Sequence, residues 1–220
     1  MKAVLLVSVS VLALCTCGSG TVYAIGDWPT RDVRLYSQNY KDIGSGIQSD
    51  NFTSGFTMSA FNSSGADDFA IPSGHSWRIK EVDVTGRYVY RSGPATSENI
   101  IFYSNSKGAP LSRVAACPHL NGIDTQGSFS ITIPKTCDIV LAGGAIYWLS
   151  VVANQDYLDH GAWAWETKIG KRGYRAVWEN PHGGFYGGRC NSWTHLRDCW
   201  LPTGKDFMFE LKGVDRVKGN

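Results

Sequence analysis

The 220-residue sequence has little helical spacing. No stretch longer than a few residues repeats apolar side chains at i, i+3 and i+4, which excludes a helix bundle or a helix-wrapped parallel sheet. A charge imbalance is missing too: 21 basic residues face 19 acidic ones. That balance leaves no electrostatic footprint for nucleic acid or for an anionic membrane surface. The local cluster Lys168, Lys171, Arg172 and Arg175 reads as a solvated loop. Catalytic signatures are absent: there is no Gly-x-Ser-x-Gly elbow, His-Glu-x-x-His, P-loop or dinucleotide fingerprint. The histidines (His75, His119, His160, His182, His195) never fall at i, i+2 or i, i+4, so no histidine metal pair is written locally. Internal repeats, low-complexity runs and Pro-rich linkers are also lacking.

Long apolar runs are nearly absent. Val4 to Leu14 follows Lys2 and leads to Val22-Tyr23-Ala24, the layout of a secretory signal peptide cleaved after Ala24. The run is short for a bilayer, which needs about 20 apolar residues. Cys15 and Cys17 are preceded by Leu14 and Thr16, poor matches to a lipoprotein signal, so both leave with the leader. The other apolar segment, 139–153, is interrupted by Gly143-Gly144 and reads as two buried strands about a turn. An exported chain without a membrane span is expected, with a formal charge of +1 once Lys2 is lost.

Four cysteines then remain: Cys117, Cys137, Cys190 and Cys199. An even number in an exported chain reads as a disulfide framework with three connectivities. Sequence proximity favours Cys117–Cys137 and Cys190–Cys199. A four-thiolate zinc site is the rival, and the lack of any Cys-x-x-Cys pair speaks against it.

What the sequence does have is period-2 alternation broken by Gly, Pro, Asn and Ser clusters. Phe129, Ile131 and Ile133 alternate with polar residues, as do Phe207, Phe209 and Leu211, and Trp163 and Trp165 share a face. Further strands are expected at 33–37, 55–61, 69–71, 77–84, 88–90, 99–104, 139–141, 146–152 and 176–178. The fold class is therefore all-β, an antiparallel β-sandwich of jelly-roll type with two disulfides. The expected division is a leader (1–24), an N-terminal arm with the first strands (25–66), the sandwich (67–213) and a C-terminal tail (214–220). Asn51-Phe52-Thr53 and Asn62-Ser63-Ser64 fit the glycosylation sequon, which matters only in a eukaryotic secretory pathway.

From Asp67 onward the chain resembles a domain of uncharacterised bacterial exported proteins. The likeness rests on Ala66-Asp67-Asp68-Phe69 with Ile71-Pro72-Ser73-Gly74, Trp77-Arg78-Ile79, Tyr147-Trp148-Leu149-Ser150-Val151 and Trp178-Glu179-Asn180-Pro181 with Gly183-Gly184-Phe185. It covers about two thirds of the chain and implies export and a sandwich, with no activity attached.

Three constellations are candidates for function. Aromatic residues crowd the last third, where the segment 180–201 is loop-like; Tyr186, Arg189, Asn191, Trp193, His195 and Trp200 are the candidate binding set for a glycan or another extracellular surface ligand. Packing of the same rings over the sandwich end is the alternative. Asp67 and Asp68, with Asp206 at the head of the last strands, form a candidate structural Ca²⁺ site. Adjacent carboxylates repel, so a cation or several backbone N–H groups must hold them. Asp156, Asp159 and Glu166 are the carboxylates that a polysaccharide hydrolase would use, about 5–9.5 Å apart across a groove. A solvated turn is the competing account of that loop. The leading functional reading is a secreted, non-catalytic binding module; a hydrolase or a secreted protein-partner or effector protein are the alternatives.

Overall fold

Alternating apolar residues become strands where one face has something to cover. The computed structural model describes residues 28–40, 42–53, 55–199 and 206–218, so the expected leader lies outside it. In chain order the strands are β1 (Val33–Ser37), β2 (Asp42–Gln48), β3 (Asp50–Phe52), β4 (Ser64–Ile71), β5 (His75–Val84) and β6 (Gly86–Val89). Then come β7 (Ser97–Ser106), β8 (Ala109–Leu120), β9 (Ile123–Thr125), β10 (Ser128–Thr132), β11 (Val140–Ala142) and β12 (Ala145–Gln155). The last are β13 (Ala162–Lys168), β14 (Val177–Glu179), β15 (Thr194–His195), β16 (Asp206–Phe207) and β17 (Phe209–Val217). Helical turns are short: α1 (Gly55–Met58), α2 (Tyr157–His160) and α3 (Leu196–Cys199).

These strands form three sheets. One runs β1-β17-β5-β10-β9 with β11 also on β5; a second runs β15-β14-β4-β12-β7-β8 with β3 on β12. The third runs β16-β13-β2, with β6 on β13. The pairings are antiparallel except β3 against β12. In the first sheet Phe129 and Phe209 flank Val84, and Ile131 and Leu211 flank Val82, which sets one continuous apolar face. The second sheet answers with Phe69, Ile71, Ile100, Phe102, Leu149 and Val151. Phe69 bridges the two, its ring 6.1 Å from Trp77 and 6.3 Å from Phe209. This is an all-β, antiparallel sandwich.

The third sheet closes onto the same core. Trp163 and Trp165 lie two apart on one strand, both buried, and Trp165 stacks on Phe207 at 4.4 Å. Burying two indoles requires partners for two N–H groups. Trp163 donates to the Gly127 carbonyl (2.6 Å) and Trp165 to the Met208 carbonyl (2.9 Å). Truncating either ring would cost about 3–5 kcal/mol.

Both disulfides join the cysteines that proximity favoured, Cys117 with Cys137 and Cys190 with Cys199. No thiolate among these four is left for zinc. Strands β4 and β17 run across the boundaries expected at 66/67 and 213/214, and β1, β3 and β2 each join a different sheet, the first, second and third.

The stretch 55–61 departs from expectation. It forms α1 and a following 3₁₀ turn (Ser59–Phe61) instead of a strand. Gly55 sits at φ +67°, a left-handed conformation that turns the chain out of β3. Met58 and Phe61, three residues apart, then fall on one side of the turn, and both line the pocket described next.

Candidate functional site: an aromatic pocket where β12 hands over to β13

Six chain segments meet where β12 ends and β13 begins. Phe52 closes β3, Met58 and Phe61 come from the helical turn, and Tyr90 follows β6. Tyr157 opens α2, Ala162 opens β13, and Phe185 precedes a 3₁₀ turn (Tyr186–Gly188). Together they line a concavity of about 380 Å³, within the range of small-ligand sites. None of the lining side chains is charged, and the polar groups they present are the hydroxyls of Tyr90 and Tyr157.

The rings form two connected groups. Tyr157 meets Phe52 edge-on at 5.5 Å and Tyr90 at 6.0 Å. Phe185 meets Phe61 at 5.1 Å and Tyr186 at 5.8 Å, and Tyr186 leans on buried Trp178 at 5.6 Å. Burial, and then the neighbouring Tyr90, push the Tyr186 hydroxyl above its ordinary pKa of 10.0.

Local chemistry sets these positions. Asp156 caps α2, accepting from the Leu158 and Asp159 N–H groups, and so holds Tyr157 in its first turn. Asn62 accepts from the Phe52 N–H (2.8 Å) and donates to Asn51 Oδ1 (3.1 Å). Beneath them buried Asp50 accepts from Gln155 Nε2 and the Trp163 N–H, both at 2.9 Å. Tyr90 itself is 72% exposed and sits at φ +71°, so its ring is held out on a strained backbone.

The expected binding set divides. Tyr186 belongs to the aromatic group of the pocket. Trp193 packs edge-on against Tyr103 at 5.7 Å, in a separate cluster with Trp148 and Val177 on the outer face of the second sheet. His195 pairs with Val177 in β15, and Arg189 and Asn191 are exposed. Trp200 lies outside the described residues.

The hydrolase carboxylates do not face one groove in a usable form. Asp156 is spent on the helix cap, Asp159 is exposed on α2, and Glu166 is 4% exposed and ion-paired with Arg87. None of the three lines the pocket.

Asp67, Asp68 and Asp206 do come together, but backbone N–H groups already fill the role of a cation. Asp67 accepts from Gln38 Nε2 (2.7 Å), the Phe207 N–H (2.6 Å) and the Asp68 N–H (2.9 Å). Asp68 accepts from the Tyr174 N–H at 2.8 Å, and Asp206 from the Arg172 N–H at 2.5 Å. Burial raises all three carboxyls, Asp67 well above 3.8, Asp68 to about 7 and Asp206 to about 6. Among the described residues no group of three or more His, Cys, Asp or Glu side chains is arranged to hold a metal ion. The expected Ca²⁺ cage thus does not fit the oxygens as they are engaged.

A larger concavity of about 810 Å³ lies on the outer face of the first sheet beside Trp28. Three of its cations are paired, Arg78 with Asp138, Lys80 with Asp32, and Lys212 with Glu81 and Asp83.

No family model matches the chain. No curated protein matches it significantly. One solved structure is similar over part of its length: "the cysteine protease and lectin-like domains of Cwp84, a surface layer associated protein of Clostridium difficile". It is 11% identical, with a TM-score of 0.44 over 71% of this chain and 32% of that one. The chain thus spans about a third of that protein, and so distant a likeness carries no function across.

Sequence reasoning missed most of the pocket. Phe52, Met58, Phe61, Tyr90 and Tyr157 are scattered over more than a hundred residues, and only the fold gathers them. One signal was within reach. Tyr157 sits inside the loop singled out for its carboxylates, where the ring, and not Asp156 or Asp159, lines the pocket.

Proposed function

We propose that this chain is an exported, non-catalytic binding module that holds an extracellular glycan, or another surface ligand of similar shape, in the aromatic pocket. The observation that carries the reading is the lining itself: five rings and two tyrosine hydroxyls about a 380 Å³ concavity with no charged side chain. Aromatic faces cover the apolar faces of sugar rings, and hydroxyls at the rim answer the sugar's own. An uncharged lining favours neutral sugars over acidic ones. Two disulfides support an oxidising compartment, in keeping with the leader read in the sequence.

Retention on a panel of insoluble and soluble polysaccharides, followed by titration with the retained one, tests the proposal. Tyr157→Ala should weaken binding about tenfold or more, the usual effect of removing a central aromatic contact. No retention on any polysaccharide, or retention unchanged in Tyr157→Ala, would count against it.

A further inference from the structure

The four-stranded sheet contains a lysine and an aspartate that are both fully buried and lie side by side. Lys168 ends β13, Asp206 opens β16, and the two are register partners. Both side chains are 0% exposed, with Nζ 3.8 Å from Oδ2. That separation lies beyond a hydrogen bond. Among the described residues neither Lys168 Nζ nor Asp206 Oδ1 has a hydrogen-bond partner. The ammonium has the Tyr40 ring at 4.7 Å, and Asp206 Oδ2 has the Arg172 N–H. A buried ion pair without good hydrogen bonds does not recover its desolvation cost, so the pair is poorly explained as a stabilising salt bridge.

We propose that Lys168 and Asp206 condense into an intramolecular isopeptide bond. The ion pair first becomes an amine and a carboxylic acid by transfer of one proton. The Nζ lone pair attacks Cγ of Asp206 and forms the N–C bond. The C–O bond then breaks, and the hydroxyl leaves as water with a proton from the former amine. The net change is ammonium plus carboxylate to secondary amide plus water, with no charge created and no oxidant or second reactant needed. Reacting groups held close to contact distance carry the orientational part of the barrier in advance. Both side chains are fully buried, which keeps bulk water from reversing the reaction.

Asp67 is the positioning residue. Its Oδ2 accepts from the Phe207 N–H, one residue from Asp206, and after burial the Asp206 carboxyl is the next cause that raises its own pKa. Two carboxyls in one buried site disfavour two negative charges, which favours the protonated Asp206 that the attack requires. The bond would also tie the sheet that the disulfides leave untied. Cys117–Cys137 anchors β8 and Cys190–Cys199 closes the loop at α3, whereas neither reaches β13 or β16.

The intact mass of the folded, full-length exported protein, measured after reduction and alkylation, tests this. The expected mass is one water below that of the open mature chain, with a branched tryptic peptide joining Lys168 to Asp206. Lys168→Met should restore the full mass. A folded Asp67→Asn chain should remain largely open, and one that closes as fully as the wild type would remove Asp67 from the reaction. A wild-type chain at the open mass, or cleaved normally by trypsin after Lys168, overturns the proposal. The mass of the wild type decides without any variant having to fold, and it does so independently of whether the pocket binds a glycan.

Discussion

At the residue scale, Tyr90 shows how binding and stability pull against each other. A non-glycine residue at φ +71° costs about 1–3 kcal/mol, and the exposed ring regains little of it by burial. The strain is borne by the native backbone, and the return is a ring standing at the mouth of the pocket beside Tyr157. Tyr90→Gly removes the strain and the ring together. Glycine's larger unfolded-state entropy takes back about 0.5–1 kcal/mol. The expected outcome is a thermal midpoint equal to or slightly above that of the parent chain, with binding of the retained polysaccharide reduced about tenfold. Calorimetry and titration on the same sample check it. A large fall in the midpoint would mean that Tyr90 is a structural residue.

At the element scale, α2 matters more than its four residues suggest. It carries Tyr157 into the pocket, and its start depends on the Asp156 cap. Asp156→Ala removes an acceptor for two N–H groups and should destabilise by about 1 kcal/mol. Because the frayed turn holds Tyr157 less well, ligand affinity should fall several-fold through a faster dissociation rate, as stopped-flow measurements would show. A hydrolase would instead lose turnover on its polysaccharide. The same scale explains what was legible beforehand. Strands with one buried face announced themselves: β1, β5, β10 and β17 follow from alternation, because Trp77, Ile79, Val82 and Val84 all point to one core. Strand β8 did not. As an edge strand it pairs, among the described residues, only with β7, leaves Leu111 and Val114 exposed, and tolerates Pro110 and Pro118, so neither periodicity nor composition marks it. The helical turn at 55–61 was hidden because alternation over so few residues does not distinguish a strand from a helix whose i, i+3 positions are apolar. The pocket was invisible for a deeper reason: its five rings come from five segments far apart in sequence, which the pairing of β3 with β12 and β6 with β13 helps to gather.

At the scale of the whole molecule, the buried carboxylates set the pH response. Burial raises Asp67 and Asp50 well above 3.8, and brings Asp68 and Glu179 to about 7. In Asp67 the neighbouring Asp206 and Asp68 add to the effect of burial, while the N–H donors oppose it. A carboxyl whose folded pKa exceeds its unfolded value binds more protons in the native state than in the unfolded one across that interval. Stability therefore declines as pH rises through it, since the slope follows protons bound by the unfolded state minus those bound by the native state. The contribution is fully present below the unfolded value near 3.8 and is gone once pH passes the folded value, about 7 for Asp68. An isopeptide at Asp206 would remove that group from the count but leave Asp68, Asp50 and Glu179. The expected result is a thermal midpoint several degrees higher near pH ~5 than near pH ~8, since about 1 kcal/mol shifts it by ~2–4 °C in a chain of this size. Asp68→Asn, which keeps shape and an acceptor for the Tyr174 N–H but cannot ionise, should flatten the profile between those values. A midpoint that rises from about pH 5 to pH 8 would show that paired surface carboxylates dominate instead and that the buried cluster stays ionised on its N–H donors.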